Sequence, residues 1–204
     1  MSPRRLYEEE LKQLQESVEE MGMGVRATYA RLFSALQQQK ESVIEEIIAS
    51  DQSTHTLQRR IEGSCLNLIT KQQPIARDLR QVSASLKVVT DISRIGDQCS
   101  DIAELVKRMH FKDLQEFSAH IPQMIEETGK QLTEAINAFV DRNAESAQHV
   151  VAGDDTVDDL FNQVKNDVIA HLRSEAKDPD DCIDVMMFAK YLEKIGDHAV
   201  NIAN

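Results

Sequence analysis

The sequence is poor in the residues that form tight turns, with only 7 Gly and 4 Pro among 204 residues. Together they make up about 5% of the chain, against about 12% in average proteins. An all-β fold needs a turn after every short strand, so this composition argues strongly against it. A chain of this length with so few turns is expected to consist of long helices.

Trp is absent, aromatic residues make up 4% of the chain, and positive charge is scarce. The 23 Lys and Arg residues against 35 Asp and Glu residues give a net charge of -12, which repels nucleic-acid phosphates. No apolar run approaches the ~20 residues of a membrane span, and the N-terminal stretch turns acidic where a signal peptide would be apolar. We therefore expect a cytoplasmic protein with no nucleic-acid partner and no integral membrane segment.

The three cysteines, Cys65, Cys99 and Cys182, are far apart in the sequence and form no C-x-x-C pair. An odd number of isolated cysteines fits reduced thiols in a protein core better than disulfides or a thiolate metal site. The sequence therefore predicts three buried, free cysteines.

Apolar residues recur at alternating spacings of four and three along residues 7–35, which is typical of a long helix with one buried face. A second helix follows, and Pro74 indicates a break before a third helix, whose apolar stripe begins with Ile75 and Leu79. Residues 110–112 are the predicted linker, and Asp113 the predicted start of helix four. Pro122 predicts a kink or a helix start.

Two later residues predict the starts of further helices. Asn143 can cap helix five, and Asp178 followed by proline can cap helix six. No segment has the pattern of a strand.

The chain resembles itself at a shift of about 100 residues. A shift of 100 aligns DISRIGDQCSDIAE, from Asp91, with YLEKIGDHAVNIAN, from Tyr191, and a shift of 103 aligns the stretches that start at Ile47 and Val150. We therefore predict an all-α fold of two tandem antiparallel three-helix bundles related by internal duplication, residues 1–110 and 113–204, each with its own core.

Four carboxylates of the second unit are predicted to converge. Asp154 and Asp158 are four residues apart and lie on one helix face, and Glu193 and Asp197 have the same spacing. Counting helix rise from the intervening loop places both pairs within about one turn of each other on antiparallel helices. A bound cation would relieve their mutual repulsion, and oxygen ligands suit Mg, Ca, Mn or Fe, with Zn possible. The alternative is a plain acidic surface.

The first unit has a different set of residues at the matching positions. These residues are Asp51, His55, Ser93 and Asp97, with Asp101 one turn further on. Here Ser93 replaces a carboxylate, and His55 is either a ligand or a surface histidine paired with Asp51. The sequence therefore predicts a weaker cation site in the first unit than in the second.

Two further motifs carry alternatives. In QQPIARDLRQ, from Gln72, Arg77 and Arg80 are either exposed residues near a helix start or part of a docking or anion-binding corner. Asp197 and His198 point about 100° apart on a helix, with no serine or cysteine spaced as a nucleophile, so we do not expect an enzyme.

The combination of QQPIARDLR with the repeated R/K-I-G-D stretches resembles the PhoU family of phosphate-signalling regulators over essentially the whole chain. The resemblance implies a negative regulator of the phosphate-starvation response and of phosphate uptake. Such a protein couples a phosphate ABC transporter ATPase to a sensor histidine kinase, and we expect a homodimer that reaches the membrane through its partners. The alternative is a carboxylate-bridged metalloenzyme or a metal-storage helical bundle.

The resemblance also implies multinuclear metal sites at E/D-x-x-x-D motifs. These motifs correspond here to Glu193 with Asp197 and to Asp154 with Asp158. In the first unit Ser93 stands where the acid is expected, unless the stretch from Asp97 to Asp101 substitutes for it. The metal is a divalent or trivalent ion whose identity the residues leave open.

Overall fold

The computed structural model describes residues 3–109, 111–174 and 177–204, without the side chains of residues 3, 51 and 111–113. Eight helices and no strand are present in these ranges: α1 (Pro3–Gln37), α2 (Glu41–Gln72), α3 (Ala76–Val106), α4 (Phe111–Phe117), α5 (Ile121–Asp141), α6 (Ala144–Ala152), α7 (Asp154–Ser174) and α8 (Pro179–Ala203). The all-α prediction is therefore confirmed. None of these helices has the length and apolar composition to cross a bilayer.

Several predicted helix boundaries are correct. Pro122 stands in the first turn of α5, where its missing N–H costs nothing. The Asn143 side chain accepts from the backbone N–H groups of Glu145 and Ser146, which caps α6. The Asp178 side chain accepts from the N–H of Asp180 and caps α8 in the same way.

Other boundaries differ from the predictions. Helix α4 begins at Phe111, so residues 111 and 112 are helical rather than linker, and Asp113 lies inside the helix; residue 110 lies outside the described ranges. The predicted fifth helix is divided into α6 and α7 at Gly153. Ile75 is 80% exposed because its backbone is extended before α3 and it does not share the apolar face of that helix. Leu79 lies inside α3 and is 40% exposed.

The two halves pack on each other in a symmetric way. A Cβ added at Gly22 of α1 would lie 3.1 Å from Ile136 of α5, and one added at Gly129 of α5 would lie 2.8 Å from Tyr29 of α1. A single shift of 107 positions relates both pairs. Close approach at a glycine therefore recurs on both helices, as expected when duplicated units meet about a pseudo-twofold axis.

Helices α3 and α8 also join the two halves. His198 Nδ1 lies 2.9 Å from Asp91 Oδ1, and Asn201 donates to the same oxygen at 3.2 Å. The buried apolar side chains, including the free thiols Cys65, Cys99 and Cys182, belong to one connected cluster. The expectation of a separate core in each half was wrong, since α3 and α8 pack together; the boundary between units stays a prediction.

Candidate metal centre

Helices α7 and α8 place four carboxylates on one side of the second half. Asp154 begins α7 and Asp158 follows one turn later, while Glu193 and Asp197 occupy successive turns of α8. Gly153 ends α6 directly before this point, so Asp154 lies in a first helical turn, where the helix dipole favours negative charge. The interruption of the helix at Gly153 thus contributes to the position of the acidic cluster.

Three of the four carboxylates approach closely enough to share one ion. One oxygen each from Asp158, Glu193 and Asp197 all lie within 4.8 Å of one another. No other group of three such residues meets this criterion among the described residues. Three of the four carboxylates predicted to converge therefore do so, and Asp154 is not part of this group.

The electrostatics of the cluster show mutual repulsion. Burial raises the pKa of Asp154, and the charges of Asp197 and Glu193 raise it further. Burial is also the largest cause of the raised pKa of Asp158, followed by the charge of Asp154. A group whose ionised form is disfavoured in this way is stabilised when a cation binds beside it.

Glu193 is the most enclosed member of the cluster, with its side chain 13% exposed. Its Oε2 atom is buried and has no hydrogen-bond partner. A buried carboxylate oxygen without a donor is uncommon and needs a partner. A cation could supply this partner, since the Glu193 carboxylate belongs to the group with Asp158 and Asp197.

Two lysines compensate part of the negative charge. Lys190 Nζ lies 2.6 Å from Glu193 Oε1, and Lys194 Nζ lies 2.7 Å from Asp197 Oδ2 and 3.7 Å from Glu193 Oε2. The hydrogen bond to Asp197 is the largest cause of the raised pKa of Lys194. Sequence reasoning missed both lysines, although each precedes its acid by three residues, a spacing that pairs side chains on one helix face.

Gln131 of α5 is the other residue that sequence reasoning missed. It is 6% exposed, and neither polar atom of its side chain has a hydrogen-bond partner. Its side-chain amide lowers the pKa of Asp154 and so opposes the increase that burial causes. A Cβ at Gly196 would lie 2.9 Å from Gln131 Oε1, the far end of that side chain, so the glycine leaves room for the amide in its present position. Nothing in the spacing of α5 predicts this contact.

The matching positions of the first half form a different arrangement. His55 Nε2 contacts Asp97 Oδ1 at 3.1 Å, and its Nδ1 lies 3.2 Å from the Ser93 hydroxyl. Arg94 contacts the other oxygen of Asp97 at 3.3 Å. Here a histidine and an arginine contact a single aspartate.

The remaining predicted residues of the first half lie apart or cannot be assessed. Burial raises the pKa of Tyr191 of α8, and the negative charge of Asp101 raises it further. The side chain of Asp51 lies outside the described residues. Asp97 and Asp101 therefore face different neighbours, and the described side chains show no carboxylate cluster there to match the one in the second half.

Fold and site together define a duplicated helical protein with an acidic cluster in its second half. The family described as PhoU domain matches residues 18–106 and again residues 121–204, so one domain type recurs in both halves of the chain. The chain belongs to the PhoU family.

Relatives of established name agree with this assignment. The "Phosphate-specific transport system accessory protein PhoU homolog" of Clostridium acetobutylicum is 30% identical, over 98% of this chain and 91% of the relative. The homolog 1 of Methanothermobacter thermautotrophicus is 29% identical over 99% of this chain and 93% of the relative. Among solved structures, PhoU from Pseudomonas aeruginosa has a TM-score of 0.87 at 25% identity and covers 97% of this chain and 95% of the other.

Proposed function

We propose that the protein regulates phosphate transport. The support is that family membership extends over both halves and that the relatives carry the name of an accessory protein of the phosphate-specific transport system. A protein of the same fold from Streptococcus pneumoniae is named a phosphate transport system regulatory protein. A regulatory rather than enzymatic role agrees with these names.

In the finer form of the proposal, the protein is a cytoplasmic negative regulator of the phosphate-starvation response. It couples the ATPase of a phosphate ABC transporter to a sensor histidine kinase and acts as a homodimer. Such coupling needs surfaces for other proteins. Ile183 and Met187 are 59% and 39% exposed and lie on one face of α8, and exposed apolar side chains of this kind are suited to protein contacts.

The acidic cluster supplies the second part of the proposal, a bound cation. Asp158, Glu193 and Asp197 hold the ion, with Asp154 beside them. The observation that carries this is that one oxygen each from Asp158, Glu193 and Asp197 lie within 4.8 Å of one another, while the buried Oε2 of Glu193 accepts no hydrogen bond. Oxygen ligands select hard or borderline cations such as Mg, Ca, Mn or Fe, with Zn also possible.

The test of the regulatory role is a deletion strain with a reporter for phosphate-scavenging genes. We expect the reporter to be active in phosphate-rich medium without the protein and silent when the wild-type gene is restored. A reporter that still follows external phosphate in the deletion strain contradicts the proposal.

The cation is tested separately in the same strain with Glu193→Gln, which keeps the side-chain shape and removes one ligand charge. We expect this variant to restore repression less well than wild type at equal protein level. Arg173→Gln, on the exposed end of α7, is the control for a single charge change. If Glu193→Gln restores repression fully, the cation is not needed for regulation.

A further inference from the structure

A cavity of about 420 Å³ lies between the two halves, away from the acidic cluster. Its wall comes from α1, α3, α5, α6 and α8, and it carries three arginines, Arg77, Arg80 and Arg142. Pockets of 300–1,000 Å³ are the size range that holds small-molecule ligands. Three guanidinium groups on one small cavity are unexpected in a chain whose net charge is -12.

The arginines are largely uncompensated. Arg142 donates to Gln15 Oε1 at 2.5 Å, and Gln15 in turn donates to Glu19 at 2.8 Å. Glu19 is the one acidic residue of the cavity wall. Within the described residues, neither Arg77 nor Arg80 has an ion pair or a side-chain hydrogen bond, so both keep their donors for a ligand.

Two helix starts also lie on the cavity wall. Arg77 and Arg80 stand in the first turns of α3, and Ala144 and Ala147 place the first turn of α6 on the same cavity. The N-terminal end of a helix carries a partial positive charge and favours anions. Asp78 and Glu145 also stand in these first turns, so the positive charge of the cavity comes from its arginines.

The rest of the wall is apolar. Val18, Phe139, Ala147 and Ile202 line the cavity beside the arginines. An inorganic anion makes no use of such a surface, whereas an organic group does. The cavity thus combines a basic side with an apolar side.

The internal duplication provides a comparison for this cavity. The shift of 100 pairs Arg77 with Lys177, Arg80 with Asp180 and Gln81 with Asp181. Lys177 is already bound to Glu116 at 3.3 Å. The equivalent corner of the second half is therefore acidic, which means that the basic character of this cavity is not a consequence of the repeated fold.

We infer that this cavity binds a phosphate ester of nucleotide size. The phosphate lies against Arg77, Arg80 and Arg142, since guanidinium groups bind phosphate oxygens through paired hydrogen bonds. The organic part packs on Phe139 and the neighbouring aliphatic side chains. The inference does not depend on the proposed function or on a cation at the acidic cluster.

The test is isothermal titration of the full chain with AMP, ADP, ATP, adenosine and inorganic phosphate. EDTA is present throughout, so that a cation at Asp158, Glu193 and Asp197 cannot recruit phosphate. We expect at least one nucleotide to bind about tenfold or more tightly than adenosine and inorganic phosphate, because each of these has only half of the interactions. Binding of inorganic phosphate as tightly as the nucleotides overturns the inference, as does the absence of nucleotide binding at about 1 mM.

Variants locate the binding. Arg77→Gln with Arg80→Gln removes two exposed charges and should weaken nucleotide binding by about tenfold or more, while Arg173→Gln should leave it unchanged. Ala147→Phe narrows the cavity without changing charge and should also weaken nucleotide binding. If the arginine pair and Ala147→Phe both bind nucleotide like wild type, the ligand is not in this cavity.

Discussion

The two halves of this protein share a scaffold and differ in the chemistry placed on it. In the second half, Asp158, Glu193 and Asp197 converge, and the most buried carboxylate keeps an oxygen without a hydrogen-bond partner. In the first half, His55 and Arg94 contact Asp97 from both sides. Duplication therefore fixed the positions of these side chains, and substitution at a few of them decided whether charge is left for a cation.

Exchanging the residue types that differ between the two halves tests whether they cause the difference in cation binding. His55→Asp with Ser93→Glu gives the first half the acid types of the second, and we expect it to bind divalent cation at least about tenfold better than wild type does at this position. Because Ser93 is buried, a carboxylate there should cost roughly 2–4 kcal/mol of metal-free stability. Calorimetric titration and urea unfolding measure both quantities.

The reverse exchange is the matched control. Asp158→His with Glu193→Ser should lose cation binding in the second half and should not lose metal-free stability. If the first exchange gains no cation affinity while the reverse one retains it, residue type at these positions is not what separates the halves.

The packing of α1 on α5 allows a second comparison of the two halves, between Gly129 and Gly22. A Cβ at Gly129 would lie 2.8 Å from the Tyr29 ring, which is held by a 2.7 Å hydrogen bond from its hydroxyl to the Ile125 carbonyl. We expect Gly129→Ala to lower the free energy of unfolding by about 1–3 kcal/mol. At Gly22 the contacts are longer, 3.1 and 3.2 Å to the two methyl groups of Ile136, so the helix-forming gain of about 1 kcal/mol should offset them.

Urea unfolding of the two alanine variants side by side measures this difference. Equal effects at Gly22 and Gly129 would show that the rigidity of the facing side chain does not matter.

Asp167 of the second half is hydrogen-bonded in a way that the matching serine of the first half is not. Burial acts to raise its pKa, but hydrogen bonds from Ser118 at 2.5 Å and from His120 at 2.9 Å outweigh burial and lower it. The equivalent residue at a shift of 103, Ser64, bonds only to its own helix. A lowered folded-state pKa stabilises the fold above the unfolded value of about 3.9, and this contribution is lost as pH falls through the folded value.

We therefore expect Asp167→Asn to cost about 1 kcal/mol at pH 7, a modest amount because the side chain is 35% exposed. The difference from wild type should shrink as pH falls below the unfolded value of about 3.9 and vanish below the folded value, and Ser64→Ala should have no such effect. Urea unfolding as a function of pH measures it; a cost that is the same at every pH would contradict the ionic origin.

The smallest expected effect is on the metal-free cluster itself. The raised pKa of Asp158 means that its ionised form is disfavoured in the fold. Asp158→Asn should therefore raise metal-free stability by a few tenths of a kcal/mol at pH 7, while Asp97→Asn, which removes the partner of His55 and Arg94, should lower it. Thermal melts in EDTA compare the two, and a loss of stability in both variants would argue against repulsion.

Much of this arrangement follows from the sequence. Spacing of four places Asp154 with Asp158 on one helix, and helix rise brings them opposite Glu193, because straight helices make register predictable. Local capping chemistry also predicted Asn143 and Asp178. The sequence resemblance correctly indicated the family.

Other features depend on tertiary packing. Gln131 reaches the cluster from α5, a helix whose rotation no spacing rule gives, and His198 is bound to Asp91 across the two halves. The single connected core arises where α3 meets α8. The exposed Ile75 shows the same limit, since a backbone that leaves the helix removes a residue from the predicted face.

The most direct test of the account is a cation titration of wild type, Asp197→Asn and Asp97→Asn, each purified free of metal. The account predicts that Asp197→Asn loses most of the tight binding, about tenfold or more in affinity, and that Asp97→Asn binds like wild type. Greater loss in Asp97→Asn than in Asp197→Asn, or unchanged binding in both, would contradict the account and leave the cluster as an acidic surface.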